Sequence, residues 1–412
     1  MVSSCKSRVV GRRGWTGTPF GLIGLIGLIG LIGVTGCGGP DRSGTEVSAA
    51  DVPSYRGGFH RTGVMPGPGL DGAPHLLWGF RDAVGAGFPP AVVAGKVLIP
   101  EPSALSAVRL ATGRRDWSVH LDSEISSTIS VAGTLAFVVT VDSRVHAVDL
   151  RSHVEVWSWL GAADGAQTTV RGSTLLVGSR TGSLVGLDVH HGSVMWSVPV
   201  GTSPVRHARS GRLAFVGGAA SGRLVAVDVV THAVSWQVDL GTDAISTPAV
   251  SKGIVYVAGV PAIAGTSRPA CIAALDSRTG AVRWRHNFAP GTVLGALAIG
   301  PAQVYAGSDT APGFLYGLDR GTGHQQWRQH VADRSFGPVL SSGDLYVAAG
   351  RGGLRVFGAR TGQPRWHVPV PGNAEGVVVT DGLALVPSKG APQTAGLLTA
   401  WVGDRDSRAS NP

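Results

Sequence analysis

At 412 residues and 42.1 kDa, the chain is too long for one compact α/β domain and fits one large all-β domain or two ordinary ones. An apolar share of 43 % allows a real core, a charged share of 15 % argues against wholesale disorder, and three Cys exclude a disulfide-stapled scaffold. The formal charge of +9 is partly an effect of residues 1–36, where Lys6, Arg8, Arg12 and Arg13 face no acid; the rest is spread without the stripe or cluster of a nucleic-acid binder.

Residues 1–36 read as a signal peptide. Arg12 and Arg13 precede Phe20 and the run GLIGLIGLIGLIGV, which ends at Val34. That apolar stretch is about 15 residues, short of the roughly 20 a bilayer-spanning helix needs, and its repeated Gly weakens it as a permanent helix. Val34-Thr35-Gly36-Cys37 follows and resembles the lipobox of bacterial lipoproteins. The resemblance implies that Cys37 becomes the first mature residue and carries a lipid, anchoring the protein to the outer face of the cell membrane. An ordinary secretory signal with an incidental Cys37 is the alternative, and Arg12-Arg13 leaves Sec and twin-arginine export both open.

Residues 37–70 read as the lipidated Cys, a flexible tether and an entry segment. GGPDRSGTEVSAADVPS is too small and polar to bury a core. SYRGGFHRTGVMPGPGLDGAP, with its aromatics and Pro-Gly pairs, suggests an ordered but irregular stretch laid on the domain.

Residues 71–403 carry a repeat. Trp78, Trp117, Trp157, Trp196, Trp236, Trp284, Trp327 and Trp366 recur at a spacing near 40, with one wider gap of 48. A turn such as TGAVRW or TGHQQW leads into each Trp from 117 onward. Upstream lies an alternating run ending in Asp (LVGLD to Asp188, LVAVD to Asp228, IAALD to Asp276), and before that come two more β runs. Period-two alternation, β-branched residues and Gly/Asp punctuation predict four short strands per unit, and no stretch sustains a helical period. Four antiparallel strands per 40 residues make a propeller blade. Seven complete units end at Trp117 to Trp366. An eighth runs to Trp401 and lacks its last strand, whereas HLLWGF around Trp78 is a last strand with no blade before it. Joined, they predict an eight-bladed all-β propeller closed by an N-terminal strand, with residues 404–412 a disordered tail. The repeated Trp are expected to fill the gaps between wedges, and the recurring Asp to serve turns; a metal array is the less economical reading, since the Asp lie on separate blades.

These units resemble the PQQ-like β-propeller repeats, whose pattern is a β run followed by lyALDxxTGxxxW, and more narrowly the BamB-like extracytoplasmic lipoproteins. The resemblance covers about residues 75–402 and implies an eight-bladed ring that binds protein partners through loops on one face. Units ending at Trp157 and Trp236 depart from it by lacking Thr-Gly. Quinone-dependent dehydrogenases share the repeat, but the family's adjacent-Cys pair and carboxylate cluster have no counterpart here. No GxSxG, HExxH or Walker A motif is present. Cys271, in ACIAALD, reads as a buried inert thiol, and His190-His191 as solvated turn residues.

Three units are lengthened, by GVPAIAGTSRPAC (259–271), GSDTAPGF (307–314) and VPSKGAPQTAGLL (386–398), each between second and third strands. Equivalent loops project from one face, which predicts a partner-binding rim including Pro261, Arg268, Asp309, Pro312, Lys389 and Gln393, with drift in tolerant surface loops as the alternative. The expectation is a monomeric, non-catalytic scaffold without cofactor or metal. Its partners would be other envelope proteins and, through the lipid, the membrane, but not nucleic acid. Binding of a small or polymeric envelope ligand at the channel mouth is the second reading, and a quinone-dependent dehydrogenase the third.

Overall fold

A computed structural model describes residues 51–81, 88–201, 205–261, 269–331, 333–390 and 396–404. The signal peptide, Val34, Thr35, Gly36, Cys37, Arg268 and Gln393 lie outside the described residues.

The described chain is all-β apart from one short 3-10 turn, Tyr55–Gly57, and forms eight separate antiparallel sheets. Each sheet is one blade, and in blades 1 to 7 the strands run in chain order from the ring's centre to its perimeter. Blade 1 is typical: Ala91–Val93, Lys96–Glu101, Ala104–Arg109, then Arg115–His120. The second and third strands are buried on both faces, because each wedge is covered by a neighbour on either side. Their sequences accordingly read as near-continuous Val, Leu, Ile and Ala.

A register shift recurs between third and outer strands, at Ala107/Val108, Ala147/Val148, Gly186/Leu187 and their equivalents. In each case the bulge lies next to the repeated Trp. In blade 8, Pro74–Arg81 pairs antiparallel with Leu397–Gly403, and the shift falls between Leu76 and Trp78. The same local device thus places Trp78 as it places the other seven. One apolar cluster holds Val97 and Ile99 of blade 1, Tyr346 and Val356 of blade 7, and Leu385 and Ala400 of blade 8.

The Trp do fill the inter-blade gaps, by a specific contact. Each ring from Trp78 to Trp327 reaches the turn between third and outer strands of the next blade, and rests on the turn residue with left-handed backbone. That residue is Gly113 under Trp78, Gly192 under Trp157, Gly280 under Trp236, Gly323 under Trp284 and Gly362 under Trp327. At Gly323 (φ +75°) a Cβ would come within 2.4 Å of the Trp284 ring, so only glycine fits. In the two units without Thr-Gly, His153 (φ 57°) and His232 (φ 54°) take that conformation. Their imidazoles stack on Trp117 and Trp196 at ring separations of 4.8 and 5.1 Å. Several indole N–H groups donate to carbonyls of the same turn, as Trp157 does to Val189 (3.0 Å) and Trp284 to Arg320 (2.9 Å). The recurring Asp are turn residues: Asp276 Oδ1 accepts the N–H groups of Arg278 and Thr279, and Asp319 those of Gly321 and Thr322.

Residues 51–70 do not lie on the outside of the domain. They run through its centre and meet the inner strands blade by blade. Val52 exchanges two backbone bonds with Val92 of blade 1, and Pro53 accepts from Val131 of blade 2. Phe59, His60, Thr62 and Gly63 accept from Arg209, Val250, Ile299 and Leu340 of blades 4 to 7, and Pro68 from Gly382 of blade 8. Blade 3 is reached by a side chain: Arg61 donates through Nη2 to the Thr168 carbonyl at 2.6 Å. An inner strand has an unpaired edge toward the axis, and these carbonyls supply partners that edge would otherwise lack.

Candidate functional site

Residues 51–70 form a plug at one end of the channel. Its contacts fall at the ends of the inner strands nearest the turns to the second strands, so that end is closed. At the other end the loops preceding the inner strands surround a cavity of ≈ 760 Å³, floored by Ser54, Tyr55, Arg56 and Met65 of the plug. Walls come from several blades, including Gln167, Thr247, Leu294, Phe336 and Glu375.

The floor is built on two buried cations. Arg61 is 1 % exposed and Arg56 3 %. Among the described residues neither pairs with a carboxylate; backbone carbonyls hold both. Arg56 donates to Leu297 and to Pro338 (2.7 Å), and Arg61 to Tyr55 (2.6 Å), Thr168 and the Thr169 hydroxyl (3.0 Å). Each guanidinium lies 5.8 Å from the Tyr55 ring centre, a cation–π distance. Burial pulls both below their ordinary range, Arg61 to about 10. Both residues have left-handed backbone, with φ 59° and 56°. Room for the Arg56 head is left by Gly63 and Gly337, where a Cβ would collide with it. His207 is fully buried beside Arg61 and is pushed down to about 3, first by burial and then by that charge.

One sector of the mouth gathers two carboxylates and two cations, Asp309 and Glu375 with Arg334 and Lys389. Asp309 is half-buried, its N–H bonds to the Val293 carbonyl at 2.7 Å, and its Oδ1 is out of solvent with no hydrogen-bond partner among the described residues. Burial raises its carboxyl above the ordinary range against the pull of Arg334. Glu375 is likewise raised by burial, feels the Asp309 charge, and pairs with Lys389 at 3.5 Å. Two predicted rim residues, Asp309 and Lys389, therefore meet through Glu375, which the sequence reading did not single out. Pro312 is exposed at the same end, whereas Pro261 is buried. A smaller hollow of ≈ 440 Å³ between blades 5 and 6 has a structural occupant: Arg320 donates to the Tyr256 hydroxyl (2.9 Å) and to Gly300 (3.0 Å).

The mouth suits a tricarboxylate quinone and its divalent ion poorly. Arg56, Arg206 and Arg334 are balanced by Asp164, Asp309 and Glu375 in the lining. Among the described residues no three acid, His or Cys side chains group as a metal ion needs. Cys271 is buried and free, its thiol raised by burial.

The perimeter carries a second asymmetry. Outer strands Val154–Leu160, Val194–Pro199 and Ala233–Asp239 of blades 2 to 4 contain no Lys or Arg and expose Val154, Val156, Leu160, Val194, Met195 and Val234. Outer strands Val282–Asn287, Gln325–Val331 and Pro364–Val368 of blades 5 to 7 each carry Arg.

A sequence model of the family described as outer membrane protein assembly factor BamB matches residues 41–214 and 181–401. No curated protein matches the chain. Among solved structures, BamB from Moraxella catarrhalis is similar at a TM-score of 0.65 and 20 % identity, covering 81 % of this chain and 98 % of that one. A europium-containing methanol dehydrogenase reaches a TM-score of 0.70 at 12 % identity, covering 87 % and 99 %. The quinohemoprotein alcohol dehydrogenase ADHIIG from Pseudomonas putida HK5 reaches 0.68 at 13 %, covering 86 % and 80 %. At these identities the structures establish the fold alone.

Proposed function

We propose an interaction-scaffold role for this chain, which belongs to the family described as outer membrane protein assembly factor BamB. The carrying observation is the perimeter of blades 2 to 4. Three consecutive outer strands present open edges with large apolar side chains, Val154 at 50 % exposure and Met195 at 50 % among them, and no basic residue to repel an incoming strand. Exposed edges are normally blunted by charge, as blades 5 to 7 are by Arg283, Arg328 and Arg365. An unblunted apolar edge is a site for strand addition by a protein partner, whose backbone supplies affinity and whose alternate side chains meet the valines.

The protein would act outside the cytoplasm, held to the outer face of the membrane by a lipid on Cys37, and would be non-catalytic. The leader-like residues 1–36 and the family description support the location. Cross-linking of the full protein in its own cells, followed by mass spectrometry, tests the role. The Val156→Lys/Met195→Lys double variant should lose the partners captured by the parent, and Gln326→Lys on blade 6 should keep them. Equal recovery from all three sinks the perimeter reading. A quinone that co-purifies with Ca²⁺ and supports alcohol oxidation sinks the non-catalytic one.

A further inference from the structure

The channel mouth offers a second site, independent of the perimeter. Three lining side chains hold atoms out of solvent with no hydrogen-bond partner among the described residues. Gln167 is 9 % exposed; its Nε2 donates to Thr247 (3.3 Å) while its Oε1 has nothing to accept from. Thr128 is 5 % exposed with a free hydroxyl, and Asp309 Oδ1 is a buried acceptor. Gln167 and Asp309 thus present acceptors that want N–H groups. The floor presents the opposite need, because Arg56 Nε is buried and donates to nothing. Beside Asp309, the Glu375 carboxylate pairs with Lys389 at 3.5 Å, Lys389 is exposed, and Arg334 lies close enough to act on both carboxylates. Leaving such groups unmet is costly, more so for a charge, so the lining is complementary to a molecule with N–H donors, a cation and a carbonyl oxygen.

We propose that the channel mouth binds a peptide tip bearing a basic side chain, the ammonium or guanidinium seated between Asp309 and Glu375 and the amide groups meeting Gln167, Thr128 and Arg56. A peptide supplies N–H and C=O groups together, and Leu294 and Phe336 give its apolar atoms a wall. The cavity of ≈ 760 Å³ lies within the range of small-ligand sites. The plug closes the far end, so the tip enters and leaves by the mouth.

Calorimetric titration of the folded protein decides the matter, with the capped tripeptides acetyl-Gly-Arg-Gly-amide, acetyl-Gly-Lys-Gly-amide and acetyl-Gly-Glu-Gly-amide, and with putrescine, as probes. Both basic peptides should saturate one site and the acidic one should not. Asp309→Asn should weaken the basic peptides at least about tenfold, the loss of a charge-assisted hydrogen bond, with Tm no lower than the parent's. Glu375→Gln is the second variant should the first fail to fold. Absence of binding by the basic peptides, equal binding of the acidic peptide, or basic-peptide affinity unchanged in both variants overturns the site. Putrescine binding as tightly as the peptides overturns the peptide half and leaves a small-cation site.

Discussion

At the scale of single residues, the repeat is a rule about pairs. A Trp on one blade needs a left-handed turn residue on the next, and the fold meets the rule with Gly in five cases and His in two. The His solution exchanges a close Gly contact for an aromatic stack, which is why loss of Thr-Gly before Trp157 and Trp236 does not break the ring. Trp284 is 8 % exposed and ties blade 5 to blade 6 through Gly323 and the Arg320 carbonyl. Trp284→Ala should therefore cost about 3–5 kcal/mol in denaturant unfolding, the usual range for emptying a large aromatic site. A loss under about 1 kcal/mol would mean that the ring is not the inter-blade tie. This much was legible in the sequence, because the Trp spacing and the turn before it are both periodic. The acidic sector was half legible. Asp309 and Lys389 stand on lengthened loops and attract notice; Glu375 faces Lys389 across the strand pairing of blade 8, and the ring brings Asp309 of blade 6 near it.

At the scale of elements, the plug was not legible. Residues 51–70 have no period, and nothing in the pattern around Arg56 and Arg61 marks them for burial. Their partners are backbone carbonyls distant in sequence, Leu297 and Pro338 for one and Thr168 for the other, and carbonyls leave no compositional trace. Burying a guanidinium without a carboxylate is expensive unless its donors are met, so these bonds are what make the geometry tenable. Removing Arg61 leaves the Tyr55 and Thr168 carbonyls facing a void at the centre of the ring. Arg61→Ala should cost about 3 kcal/mol or more and open residues 51–70 to protease while the blades stay intact. The checks are denaturant unfolding together with limited proteolysis read by mass spectrometry. Cleavage that begins in the blades instead would show that the plug is not the less stable unit.

At the scale of the whole molecule, two segments near the start of the described chain act on the ring in different ways. The plug ties the inner strands together, and Pro74–Arg81 covers the outward edge of Leu397–Gly403. Their contributions can be separated because the strand's start lies beside the last described residue: Asp404 donates its N–H to Ala73 at 3.0 Å and pairs with His75 at 2.7 Å. A chain beginning at Phe88 lacks both segments. It should expose the edge carrying Trp401 and self-associate, since an unpaired apolar strand invites pairing between copies. Appending residues 73–81 after Asp404 through a two-glycine turn restores the cover and not the plug. Light scattering should then show a monomer, and unfolding should show a protein still less stable than the parent by the plug's contribution. Were the appended strand to leave association unchanged, the eighth blade would not depend on it, and the seam between blades 8 and 1 would rest on side-chain packing of Ile99, Val108 and Leu398 alone.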